Sequence, residues 1–198
     1  MHKGGIYLAF GDSISWTIPD DASAVGANLY SYIVWKKICQ DYGIIKHLNK
    51  GYGGSRSGDL VSRLNFLALG IPYDLVTIQC GMNDCNPTIT TLDTFKSNME
   101  TVINRLKQYR PNCEIIYCKI PPTNDANRLP NWSNFNSMID TIVSDTGILK
   151  ADFGNAWTAD QMSTYSGGVH PNIAGHQVLA NILYPVVQQT NFVKSLQK

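Results

Sequence analysis

Short apolar runs alternate along this chain with longer segments whose apolar positions recur every three or four residues. The runs are rich in Ile, Val, Leu and Tyr, as strands buried on both faces of a parallel sheet are, and the periodic segments have the spacing of helices that cover such a sheet. Residues 6–10 are predicted as the first strand and 28–42 as a helix, with Leu29, Ile33, Val34, Trp35 and Ile38 on its apolar face and Gly43 ending it. Then follow a strand at 44–48, a helix at 60–69, a strand at 75–79, and a helix at 92–109 closed by the turn Arg110-Pro111-Asn112. A strand at 113–120 ends at Pro121-Pro122, and a helix at 132–145, a short strand at 148–151 and a last helix at 173–187 complete the chain. This rhythm predicts an α/β fold with a parallel sheet between helices. No repeat or linker interrupts it, so residues 1–198 are expected to form a single domain. Residues 121–130 form the longest polar loop, and it follows a strand, where such folds carry their ligand-contacting loops.

Composition narrows the function. With 198 residues, 43% hydrophobic and 16% charged, the chain can bury a core without disulfide staples. Sixteen Lys plus Arg against fifteen Asp plus Glu leave a net charge of +1, with no global field to hold a phosphate backbone, so nucleic acid is not the expected partner. The cysteines, Cys39, Cys80, Cys85, Cys113 and Cys118, are odd in number and lack CxxC spacing; they are expected to be reduced and mostly buried, with no metal site. No stretch approaches the roughly 18 apolar residues of a membrane span, and residues 6–10 are too short for a signal-peptide core. A cytoplasmic protein, or one released without a signal peptide, is expected.

The polar residues with chemical potential follow the predicted strands or precede the last helix. They are Gly11-Asp12-Ser13, Asn49 to Gly54, Gly81-Met82-Asn83-Asp84, and Val169-His170-Pro171-Asn172. Acyl transfer by serine needs a hydroxyl beside a neutral imidazole and N–H donors aimed at the developing oxyanion. Each loop alone also has a structural explanation: a helix cap, a glycine turn, a strand-ending Asn, an exposed helix start. Their conjunction in fixed order favours the chemical one.

With Gly11-Asp12-Ser13, Asn49-x-Gly51-x-x-Gly54, Gly81-x-Asn83-Asp84 and His170-Pro171 in that order, the chain resembles the SGNH hydrolases, the GDSL-like lipase and esterase superfamily, over nearly its whole length. The resemblance implies a flavodoxin-like three-layer α/β/α sandwich and hydrolysis of carboxylic esters without a metal or organic cofactor. It casts Ser13 as nucleophile, His170 as base, and the Ser13 and Gly54 N–H groups with the Asn83 side chain as the oxyanion hole. A small-molecule or carbohydrate ester is the implied partner, most simply a short acyl group such as O-acetyl on a sugar.

One departure stands out. The family's last block reads Asp-x-x-His, and this chain has Gly167 three residues before His170. Three readings follow: a Ser13-His170 dyad with a main-chain carbonyl of the 166–168 turn as acceptor, an acid recruited from Asp152 or Asp160, or a catalytically weakened carbohydrate-binding relative. Asp12 is expected to hold its own turn, Arg56 and Lys50 to be solvated loop charges, and His176 to point away from His170. His2 and His47 have no motif context. Of Trp16, Tyr52, Trp132 and Trp157, Trp16 is the one expected near substrate. A flavodoxin-type cofactor binder fits poorly, because the first loop lacks the hydroxyls and glycines that wrap a phosphate.

Overall fold

Branched apolar runs that must be covered on both faces need a sheet between two helical layers. The computed structural model, which describes residues 5–16, 28–86 and 90–196, has that arrangement. Strands β1 (Ile6–Gly11), β2 (Lys46–Gly51), β3 (Leu75–Gln79), β4 (Glu114–Cys118) and β5 (Leu149–Ala151) are all parallel, in the order β2-β1-β3-β4-β5. This is the flavodoxin-like doubly wound order, and the protein is a three-layer α/β/α sandwich. Helices α1 (Tyr30–Tyr42), α6 (Ile173–Gln188) and α7 (Asn191–Leu196) pack on one another, and α3 (Leu92–Tyr109) packs on both α2 (Ser57–Ser62) and α4 (Leu129–Thr146), while the short α5 (Met162–Tyr165) precedes α6.

Central β3 is buried at every residue, and Tyr7, Phe10, Ile78, Phe95 and Tyr117 anchor the core at 0% exposure. Two tyrosine hydroxyls of the core are matched: Tyr7 Oη lies 2.9 Å from Thr77 Oγ1, and Tyr117 Oη donates to the Cys80 carbonyl at 3.0 Å. All five cysteines are free, and all but Cys39 are buried. Burial pushes the thiols of Cys85 and Cys113 up, to about 12 and about 11. No described helix is long and apolar enough to cross a membrane.

Strand β3 and helix α3 have their expected bounds, and other elements shift for identifiable reasons. β2 lies at 46–51 rather than 44–48: its register pairs Gly11 with Gly51, and Ile44 stays 87% exposed. An edge strand tolerates the polar side chains this pairing brings into the ladder. The 60–69 helix starts at Ser57 and tightens to a 3-10 helix over Arg63–Leu69. α4 starts three residues early, with Pro130 in its first turn, where a missing N–H costs nothing. Helices α5 and α7 and the 3-10 turns Phe153–Asn155 and Ala159–Gln161 were too short to show a period.

β1 and β3 approach so closely that a Cβ on Gly11 would lie 2.1 Å from the Gln79 carbonyl oxygen. Backbone cannot yield there as a side chain can, so Gly11→Ala is expected to cost about 1–3 kcal/mol or more. A lowered urea midpoint at unchanged slope checks this.

Candidate active site

The crevice of a doubly wound sheet opens where neighbouring strands send their chains to opposite faces, here between β1 and β3. Ser13 leaves β1 two residues past its end, Asn83 follows β3, and the 52–56 loop follows β2 alongside. Tyr52 N donates to the Gly11 carbonyl at 2.9 Å, carrying the β1–β2 pairing one residue past the strand.

His170 reaches Ser13 from the far end of the chain. Its Nε2 lies 2.9 Å from Ser13 Oγ across 157 residues of sequence. The turn that presents it is closed by bonds of its own: Gly167 N and Ser166 Oγ both donate to the His170 carbonyl, at 3.0 and 3.1 Å. Asn172, expected at the helix start, caps α6 by accepting from Gly175 N at 3.0 Å. Burial of part of the ring, and then the nearby Arg128 guanidinium, hold the His170 pKa below its ordinary value, which favours the neutral imidazole a base must be.

The donor loops are tied to one another. Asn49 Nδ2 donates to the Ser15 carbonyl at 2.7 Å and its Oδ1 accepts from Gly51 N at 2.8 Å, so this side chain clamps the β2 exit onto the Ser13 turn. Asn83 Nδ2 donates to the Ser55 carbonyl at 3.0 Å, joining the loops after β2 and β3. Gly54 has φ +71°, a left-handed conformation that glycine adopts without strain. Among the described residues, the N–H groups of Ser13 and Gly54 make no hydrogen bond. Asp84 caps α2, accepting from Ser57 N at 3.0 Å and Ser57 Oγ at 2.7 Å.

Asp12 does hold its turn, accepting from Ile14 N at 2.9 Å. It is fully buried, Oδ2 has no hydrogen-bond partner among the described residues, and burial raises its pKa to about 7. A carboxyl about half protonated at neutrality opposes negative charge developing on its neighbour less than a fully ionised one would.

Among the described residues, neither Asp152, Asp160 nor a carbonyl of the 166–168 turn hydrogen-bonds His170. Asp152 Oδ2 accepts from Asn155 Nδ2 at 2.7 Å, Asp160 Oδ1 from Thr158 Oγ1 at 2.5 Å, and the Gly168 carbonyl from Thr123 Oγ1 at 2.7 Å. Among the described residues, His170 Nδ1 makes no hydrogen bond, and the residue is solvent-exposed. Position 167 is also sterically open: a Cβ there would meet nothing within 4 Å.

Other residues divide cleanly. His176 is buried near the Tyr30 ring and His47 among Tyr7, Tyr32 and Trp35, both with pKa lowered to about 4 by burial; His2 lies outside the described residues. Trp157 is core, Trp132 Nε1 donates to the Ile120 and Pro121 carbonyls, and Tyr52 lies under Arg63 at 4.2 Å. Trp16 is 37% exposed beside the Ser13 turn, its ring so close that a Cβ on Gly53 would meet it at 2.5 Å. Lys50 sits in β2, and Arg56 N donates to Asp59 Oδ2 at 2.9 Å. The residue sequence reasoning missed is Arg128, whose Nη2 lies 3.5 Å from Asn83 Oδ1. It is the sole basic residue of the 121–130 loop, and that position was the available signal.

The chain belongs to the GDSL-like Lipase/Acylhydrolase family, whose sequence model matches residues 9–178. Among solved structures it is similar to a lipase/acylhydrolase from Enterococcus faecalis, at 21% identity and TM-score 0.79 over 93% of this chain and 95% of that one. It is similar also to LAE5, an alpha/beta hydrolase enzyme from the metagenome of Lake Arreo, at 18% identity and TM-score 0.76 over 100% and 99%. Axe2, an acetylxylan esterase from Geobacillus stearothermophilus, aligns at 22% identity and TM-score 0.71 over 100% and 97%. No curated protein matches the chain at a significant level.

A pKa near 7 for Asp12 against about 4 in an unfolded chain means the folded state holds the extra proton between those values, so this group's stabilising contribution falls as pH rises from about 4 to 7. Asp12→Asn keeps an acceptor for Ile14 N and removes the titration. The variant is therefore expected to gain stability relative to the parent across that range, by up to a few kcal/mol on the order of a three-unit shift. Urea melts at pH 4.5 and 7.5 check it.

Proposed function

We propose that this protein is a serine esterase that forms an acyl-enzyme on Ser13 and removes short acyl groups, in particular O-acetyl groups on a carbohydrate. The observation that carries the chemistry is the 2.9 Å contact between His170 Nε2 and Ser13 Oγ. His170 Nε2 takes the Ser13 proton as Oγ bonds to the ester carbonyl carbon. The carbonyl oxygen becomes anionic, with the Ser13 and Gly54 N–H groups and Asn83 Nδ2 as its donors. The tetrahedral adduct collapses, the carbon–oxygen bond to the alcohol breaks, and the alcohol leaves with the proton from His170. Water repeats the sequence on the acyl-enzyme and frees Ser13 and a carboxylic acid. Solvent exposure of His170 leaves water as an acceptor for its Nδ1 proton, so the imidazolium is stabilised without an acid, though less well than beside one.

The carbohydrate assignment is supported by the exposed Trp16 ring beside the Ser13 turn, a flat apolar face suited to a sugar ring, and by the likeness to Axe2. A second reading, a carbohydrate-binding relative with weakened catalysis, draws on Gly167 and on the unengaged Nδ1. Hydrolysis of p-nitrophenyl acetate separates the two. Ser13→Ala is expected to abolish turnover and Asn83→Ala to cost about 10² to 10³ in kcat, whereas Asp152→Asn and Asp160→Asn stay within about tenfold, a barrier change under roughly 1.4 kcal/mol. Equal rates for the parent and Ser13→Ala would leave only the binding reading.

The open space at Gly167 yields a gain-of-function test. Gly167→Asp places a carboxylate where the family pattern carries one. It is expected to raise kcat at least about tenfold, since an acid behind the imidazole is worth up to about 10⁴ elsewhere. An unchanged kcat in a folded variant refutes the idea that an orienting acid is what this site lacks.

A further inference from the structure

Arg128 immediately precedes α4, and its guanidinium is largely buried, with 21% of the side chain exposed. Its Nη1 lies 2.9 Å from Asp125 Oδ1, and that carboxylate oxygen also accepts from the N–H groups of Asn127 and Arg128 at 3.2 Å. The arginine is thus anchored by a turn within its own loop. Beyond the anchor, Nη2 faces Asn83 Oδ1 at 3.5 Å, while Nε is buried without a hydrogen-bond partner among the described residues.

The contact has a chemical consequence for Asn83. A carboxamide presents an acceptor at one end and donors at the other, and the two ends are nearly equal in shape, so only its partners decide which way it faces. At Asn83 the Nδ2 end meets the Ser55 carbonyl and the Oδ1 end meets a cation. A flipped amide would set its N–H groups against the guanidinium and its oxygen against a carbonyl, so both contacts would become repulsive. The field of the guanidinium also reaches the catalytic pair: after partial burial, it is the second cause that lowers the His170 pKa.

We propose that Arg128, anchored by Asp125, is a positioning residue of the oxyanion hole, locking Asn83 with its N–H donors toward the Gly54–Ser55 loop and placing positive charge behind the oxygen that becomes anionic. The proposal rests on the acyl-transfer reading of Ser13. It adds a residue that acts through Asn83 and does not itself touch the reacting atoms. The charge works in two directions, favouring the oxyanion and disfavouring the imidazolium. Of the charged or titratable groups among the described residues that bear on His170, Arg128 stands before α4 and His176 on α6.

The test uses the full chain and p-nitrophenyl acetate, with circular dichroism as the check on folding. Arg128→Gln is expected to lower kcat by about ten- to a hundredfold, less than direct loss of an oxyanion donor, with KM changed less than about threefold. Arg128→Lys, which keeps the charge and loses the fork, should recover part of that loss. The double variant Arg128→Gln with Asn83→Ala should be no slower than Asn83→Ala alone, because the arginine acts through the amide. The acid limb of kcat/KM should move to higher pH in Arg128→Gln and stay in place in Arg128→Lys.

A kcat within about twofold of the parent together with an unmoved acid limb, or losses that simply multiply in the double variant, overturns the proposal. If Arg128→Gln does not fold, the cycle of Arg128→Lys with Asn83→Ala makes the same distinction. An inactive Ser13→Ala beside an unaffected Arg128→Gln sinks only this inference, whereas a fully active Ser13→Ala sinks it along with the acyl-transfer reading.

Discussion

The candidate site depends on how closely the ends of β1 and β3 approach each other. Gly11 is pressed onto the Gln79 carbonyl, and the next residue, Asp12, donates its N–H to that same oxygen at 3.0 Å. A side chain at position 11 would push the strands apart and carry the Ser13 turn away from the Asn83 loop. Ordinary ladder pairing therefore sets the spacing of Ser13 and Asn83, and the loops add only short clamps. Asn49 fixes the turn from one side, and Asn83 fixes its neighbour from the other.

Charge is arranged around this frame with economy. Burial raises the pKa of Asp12, next to Ser13 in the chain, to about 7, so it is only partly ionised near neutrality, and burial raises that of Asp84 as well. Arg128 contributes the opposite sign from the loop after β4, tempered by Asp125. Behind His170 there is a glycine turn in place of an acid. On the proposed acyl-transfer reading, the arrangement favours the oxyanion more than the imidazolium, which the exposure of His170 leaves to solvent.

Much of this was legible in the sequence. Alternating runs specified the α/β class and the strand count, because burial on two faces leaves an unmistakable apolar signature at β3 and β4. Ser13, Gly54, Asn83 and His170 were legible because each sits at a strand end or helix start within a short motif. What escaped depends on tertiary geometry. The bounds of β2 follow from its pairing with β1, and its own sequence is too polar to announce them. Arg128 carries no local motif; its meaning comes from a contact with a residue 45 positions away. The expected carbonyl of the 166–168 turn makes no hydrogen bond to His170 among the described residues, and the Gly168 oxygen instead accepts from a distant hydroxyl, that of Thr123.

The hydrogen bond between Ser13 and His170 spans 157 residues, nearly the whole chain. Closing a loop of that length is entropically unfavourable, and nothing local to either residue compensates, so the pair cannot assemble in a partly folded chain that lacks β3 or α6. The native arrangement of this pair is accordingly a contact of high sequence separation, whose loop-closure entropy the packed sheet and helices must offset. Catalytic competence therefore reports on the whole cooperative structure, and a chain still emerging from the ribosome remains inert until its last long helix has docked.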